Sequence, residues 1–155
     1  MGYSLNAVIG CTPALHHLSS NFKNAKALNL HNELYIMPMS DELFDEINNY
    51  KPSNHIGSFI FLNERIANLL AAASEDGTIA YFEADYFGGT GYQSSIVWVN
   101  QDVVFSEEKS KDAFNKSLKL MGVRKKEGCN EFETVGLNRF RGTEEWLELS
   151  EKINE

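Results

Sequence analysis

No stretch of this sequence approaches the roughly 20 consecutive apolar residues that a membrane-spanning helix needs, and its start, Met1-Gly2-Tyr3-Ser4-Leu5-Asn6, has neither a basic region nor an apolar run. A secretory signal is therefore not expected, Asn6 stands where a myristoylation signal needs Ser or Thr, and the cytoplasm is the expected location. Only two cysteines are present, Cys11 and Cys129, far apart and without CxxC spacing. Small buried thiols are expected rather than a disulfide or a zinc site. Low-complexity tracts, internal repeats and linkers rich in Pro, Gly or Ser are absent, so residues 1–155 read as one domain.

Catalytic patterns are equally scarce. His16 and His17 are adjacent in a helical stretch, so their rings diverge by about 100° and cannot meet one metal ion. His31 and His55 stand alone, and Ser94-Ser95 lies in a strand pattern without a nucleophile elbow. No catalytic residue, metal or cofactor is expected.

What is present is an ordinary globular composition, 43% hydrophobic and 23% charged, with ten Phe, six Tyr and two Trp to fill a core. Net charge is −8. Residues 1–105 hold 11 acidic and 4 basic side chains, whereas residues 106–155 hold 11 and 10. Phosphate binding needs clustered Lys and Arg, so nucleic acid is not an expected partner of the first two thirds. The acidic excess suits a basic protein partner, or it serves solubility alone. Arg124-Lys125-Lys126 reads as a solvated turn.

The pattern along the chain predicts an α+β fold. Tyr3, Leu5, Ala7 and Ile9 share one face of a first strand, and Thr12-Pro13 opens a short helix through Leu18. Leu28 and Leu30, then Leu34 and Ile36, suggest a hairpin around His31-Asn32-Glu33 that ends near Pro38. Ser40 caps a helix with Leu43, Phe44 and Ile47 inward and Asp41, Glu42, Asp45 and Glu46 outward. Asn63 caps a helix over Glu64–Ser74, which Asp76-Gly77 stops. Two long antiparallel strands, about 78–87 and 94–105, flank a glycine-rich loop. Helices around Phe114–Met121, around Phe132 and from Thr143 complete the chain, the last carrying Trp146, Leu149 and Ile153.

The loop Gly88-Gly89-Thr90-Gly91 is not a phosphate cradle, because no Lys-Ser or Lys-Thr follows it and a strand rather than a helix comes next. Gly88, Gly89 and Gly91 are expected to serve the turn itself, through positive φ or close backbone approach. In the preceding strand Ala80, Phe82, Ala84 and Tyr86 form an apolar face directed at the core. The opposite face, with Tyr81, Glu83, Asp85 and Phe87, mixes aromatics with two carboxylates roughly 6–7 Å apart. That face admits three readings: a solvated surface, a partner surface extended by Tyr92 and Gln93, or an acid/base pair. Arg139 and Arg141, between Gly136 and Gly142, are expected to pair with the acidic strand.

The segments Gly2–Gly10, Ala80–Gln93 (Ala-Tyr-Phe-Glu-Ala-Asp-Tyr-Phe-Gly-Gly-Thr-Gly-Tyr-Gln) and Phe132–Trp146 resemble a group of small bacterial proteins with no assigned reaction. In size, acidity and lack of an active site the chain is also similar to bacterial immunity proteins, including those of contact-dependent growth inhibition. That similarity implies a protein that neutralises a basic toxin domain, often a nuclease, by covering it. Its expected contact residues are Asp41, Glu42, Asp45, Glu46, Tyr81, Glu83, Asp85, Phe87, Tyr92 and Gln93. The alternatives are a small enzyme using Glu83 and Asp85, or an adaptor that associates with itself.

Overall fold

The computed structural model describes residues 2–153 and confirms an α+β architecture. Alternating residues Tyr3–Gly10 form β1, followed by α1 (Thr12–Asn21), β2 (Leu28–Asn29), β3 (Tyr35–Pro38), α2 (Asp41–Asn48) and α3 (Glu64–Ala73). Three consecutive strands come next, β4 (Ile79–Phe87), β5 (Thr90–Val99) and β6 (Asp102–Ser110). The chain ends with α4 (Ala113–Leu120), α5 (Glu131–Val135) and α6 (Thr143–Ile153). One six-stranded sheet runs in the order β2-β3-β1-β4-β5-β6, and every pairing of its strands is antiparallel.

Several local signals act as the sequence implies. Ser40 Oγ accepts the Leu43 N–H at 3.0 Å, and Asn63 Oδ1 accepts the Ile66 N–H at 2.9 Å. Other boundaries differ. Cys11 rather than Thr12 is the N-cap of α1, and the helix continues to Asn21, past Leu18. Both cysteines are free and half-buried rather than buried.

The glycine loop is tighter than its sequence suggests. Gly88 (φ +60°) and Gly89 (φ +80°) alone make the turn, and Thr90 already pairs with Phe87. Positive φ at both central positions is the geometry of a two-residue hairpin whose twist matches the strands. Gly91, inside β5, serves a different need: a Cβ there would stand 2.6 Å from Tyr86 Cα and run into the Asp85 carbonyl. Both obstacles are backbone atoms and cannot swing away. Gly91→Ala is therefore expected to cost about 2–3 kcal/mol, against less than about 0.5 kcal/mol for Gly88→Asn, where nothing lies within 4 Å of a Cβ. Urea denaturation of the two variants measures the contrast; equal midpoints would refute the close approach.

The predicted strand 94–105 is two strands. Asn100 (φ +50°) and Gln101 (φ +75°) make a second two-residue turn, so apolar residues on either side read as one continuous run.

Both faces of the sheet are covered. Val8, Met37, Ile79, Tyr81, Ile96 and Trp98 pack beneath α1, α2 and α3, with Leu15, Leu18, Leu43, Ile47, Ile66 and Leu70 facing them. Leu5, Ala7, Ile9, Ala80, Phe82 and Val97 pack on the opposite side against Phe114, Leu118, Val135 and Trp146. The rings of Phe82 and Phe114 stack with centroids 4.3 Å apart. The chain thus supplies one helical layer before β4 and the other after β6. No described helix is long and apolar enough to cross a membrane.

Candidate functional site: an acidic cleft between two helix starts

The shortness of β3 leaves room for a concavity beside β1. Pro38 ends that strand after pairing with Ala7, so the edge of β1 nearer its start lacks a strand neighbour. Two segments occupy it instead. Met39 N–H donates to the Asn6 carbonyl at 2.8 Å as the chain turns into α2. From the other side Ser4 N–H donates to the Arg141 carbonyl at 3.0 Å, and Asn6 N–H donates to Thr143 Oγ1 at 2.8 Å. The hydroxyl expected to cap α6 thereby ties that helix to β1.

The starts of α2 and α6 consequently flank a cleft of about 580 Å³. Met39, Phe61 and Leu147 give it an apolar lining, and Asp41, Glu42, Glu144, Glu148 and Glu151 supply its charge. α6 is fixed in rotation by buried Trp146, whose ring meets Phe140 edge-on at 4.7 Å. With Trp146 inward, the i, i+4, i+7 positions Glu144, Glu148 and Glu151 form a stripe beside Leu147.

Among the described residues the ion pairs are His17–Asp76 and Lys116–Glu107. Neither touches the cleft, so among the described residues none of its five carboxylates is held in an ion pair. Acids in the first turn of each helix favour their own helix through its dipole, which accounts for Asp41, Glu42 and Glu144. Glu148 and Glu151 lie beyond that turn. Glu148 is four residues from Glu144 and three from Glu151, spacings at which like charges destabilise a helix by about 0.2–0.5 kcal/mol.

The residues singled out from sequence divide sharply in this structure. Asp41 and Glu42 are exposed at the cleft. Asp45 and Glu46 lie around the helix, with Lys23 and Tyr50, in a neighbouring depression of about 400 Å³ that shares Glu42 with the cleft. Tyr50 is 83% exposed. Glu46 is committed internally: it accepts the N–H groups of Lys23 (2.8 Å) and Asn24 (3.0 Å), and the Asn24 amide at 3.1 Å. Partial burial pushes its carboxyl up, but the Asn24 and Lys23 N–H groups outweigh that and hold it below the usual carboxylate range.

The mixed face of β4 is not the open surface that the two carboxylates suggested. Tyr81 is fully buried and Glu83 only 3% exposed, because α1–α3 and the segment before α3 cover this side too. Glu83 accepts the N–H groups of Ile60 (2.5 Å) and Phe61 (3.1 Å) and the Tyr81 hydroxyl at 3.4 Å. Burial, then the neighbouring Glu83 charge, push the Tyr81 hydroxyl well up, so it stays a donor. Asp85 and Phe87 do reach solvent, Phe87 being 82% exposed at the hairpin tip. Glu83 and Asp85 therefore share no cavity as an acid/base pair would require.

Tyr92 sits opposite Asp85 in β5, with Lys109 Nζ 5.8 Å from its ring centre. Gln93 faces inward: its Oε1 accepts the Phe114 N–H at 2.9 Å and anchors the start of α4. The arginines also act differently from expectation, for Arg139 lies 5.0 Å over the Trp146 ring rather than beside the acidic strand. The α6 stripe was the part that sequence reasoning overlooked. Its signal was Glu144, Glu148 and Glu151 spaced opposite Trp146 and Leu149, hidden because the basic residues of 109–126 balance the charge of the last third.

Comparison with family models, with curated proteins and with solved structures finds no match to this chain.

Proposed function

We propose that this chain is a toxin-neutralising immunity protein, and that it binds a cationic toxin domain by receiving lysine or arginine side chains in the cleft between α2 and α6. The observation that carries the reading is that five carboxylates line one cleft around apolar side chains and, among the described residues, none of them forms an ion pair. Lys and Arg combine a charged head with an aliphatic stem, so Met39, Phe61 and Leu147 match the stem while Asp41, Glu42 and Glu148 match the head. Such a surface speeds encounter with a basic partner and loses that advantage as salt rises.

The test begins from the genes beside the one for this chain: the reading expects one that encodes a large secreted protein, and its C-terminal domain is the partner to be tried. Co-expression is expected to restore growth to cells producing that domain, and the purified pair is expected to form a complex whose association slows at least tenfold between 50 and 500 mM salt, the order set by screening of steered encounter. Absence of both complex and protection would sink the reading.

A further inference from the structure

Residues 56–62 make a closed loop on the side of the sheet covered by α1–α3. His55 and Asn63 bridge at its base, and Ile56 N–H donates to the Leu62 carbonyl at 3.1 Å. A short surface loop whose ends meet, packed by its own side chains, is a compact unit. Phe59 points inward against Tyr81, with ring centres 6.0 Å apart. Phe61 meets Phe44 of α2 at 6.1 Å and lines the acidic cleft.

Two carboxylates hold this loop, one from each of two strands. Glu83 of β4 takes the Ile60 and Phe61 N–H groups. Glu108 of β6 takes the Ser58 N–H at 2.5 Å and the Ser58 hydroxyl at 2.6 Å. The backbone is shaped for the second contact, since Gly57 adopts φ +49° and a Cβ there would run into the Glu108 carboxylate. The loop has no ladder of its own beyond the His55–Asn63 bridge, so these acceptors substitute for secondary structure. Phe59 and Leu62 also anchor its inner side in the core, 3% and 0% exposed, and a segment outside the strand ladders opens below the free energy of global unfolding.

We propose that residues 56–62 open as one unit, latched jointly by Glu83 and Glu108, and that Glu83 and Glu108 are thereby positioning residues that keep Phe61 on the wall of the acidic cleft. Only the consequence for the cleft rests on the binding reading above; the latch itself concerns the free chain. Opening withdraws Phe61 and leaves a wider, less apolar cleft, so a partner that needs the Phe61 wall selects the latched state.

Amide hydrogen exchange on the full chain tests the unit. In the unaltered protein the Ser58, Ile60 and Phe61 amides are expected to share one opening equilibrium, faster than the β4 amides of Ala80 and Phe82. Glu108→Gln touches only Ser58 directly, yet it is expected to speed exchange of all three about tenfold or more, the loss typical of one charge-assisted hydrogen bond, with Ala80 and Phe82 unchanged. Glu83→Gln is expected to do the same to Ser58. Acceleration confined to each variant's own bonded amides would overturn the proposal, and Glu108→Gln decides it alone if the buried variant fails to fold. Hexa-arginine added to the unaltered chain is expected to slow the same three amides. If it leaves them unchanged while the variants behave as described, the latch stands and the cleft reading fails.

Discussion

Replacing Glu83 by alanine is expected to lower the unfolding free energy by about 3 kcal/mol, whereas Asp85→Ala, two residues along the same face, costs less than about 0.5 kcal/mol. In a chain of this length the first loss corresponds to a fall in Tm of roughly 6–12 °C. The physical reason lies in what each carboxylate leaves behind. Removing Glu83 leaves the part-buried N–H groups of Ile60 and Phe61 without their acceptor, and a donor left unsatisfied in a buried setting costs on the order of 1–3 kcal/mol. It also opens a void beside Tyr81, whose hydroxyl loses its acceptor. Asp85 is exposed and accepts no such bond, so water replaces it. Urea denaturation of both variants gives the comparison directly. Equal and small losses would mean that the loop draws little from Glu83 and would weaken the latch argument with it.

The same contrast explains how far the sequence could be read. Strand and helix positions were legible where periodicity and caps coincide, as at Ser40, Asn63 and the 80–87 alternation. The sidedness of β4 was not. Alternation assigns residues to two faces, but it does not say whether one face is wet. The clue lay in the mixed face itself, since Ile79 and Tyr81 precede Glu83 and Asp85 on it. Two large apolar side chains followed by acids describe a face that is covered at one end and open at the other, and the structure shows that gradient from Ile79 to Phe87.

Polar residues that looked like contact groups proved to be backbone acceptors. Glu46 holds the chain leaving α1, Glu83 holds the loop before α3, and Gln93 holds the start of α4. Each partner lies more than 20 positions away, at Asn24, Ile60 and Phe114. A side chain's bond to a distant amide depends on tertiary placement, which composition and spacing do not encode. The cleft was hidden for a related reason. Its acids come from residues 41–42 and 144–151, which meet only because β3 stops at Pro38 and leaves β1 an edge that α6 can reach.

Glu148→Lys is expected to move binding and stability in opposite directions. Reversal at the centre of the α6 stripe puts a positive charge where the proposed cationic partner would approach, and like charges juxtaposed in an interface cost several kcal/mol. Binding to the proposed toxin domain should fall at least a hundredfold, which is about 2.7 kcal/mol. In the free chain the same change removes the repulsion of Glu148 with Glu144 and Glu151. It creates an i, i+4 pair of the favourable order with Glu144, and places a cation nearer the negative end of the helix, partly offset by Lys152 four residues on. Stability should therefore rise by a few tenths of a kcal/mol rather than fall. Glu127→Lys makes the same change of charge at an exposed position that does not line the cleft, and it should leave binding within about threefold. If the two reversals weakened the complex equally, the effect would belong to the net charge of the whole molecule and the cleft would lose its claim. A loss confined to Glu148→Lys, in a protein no less stable, is the outcome that a site kept acidic for binding requires.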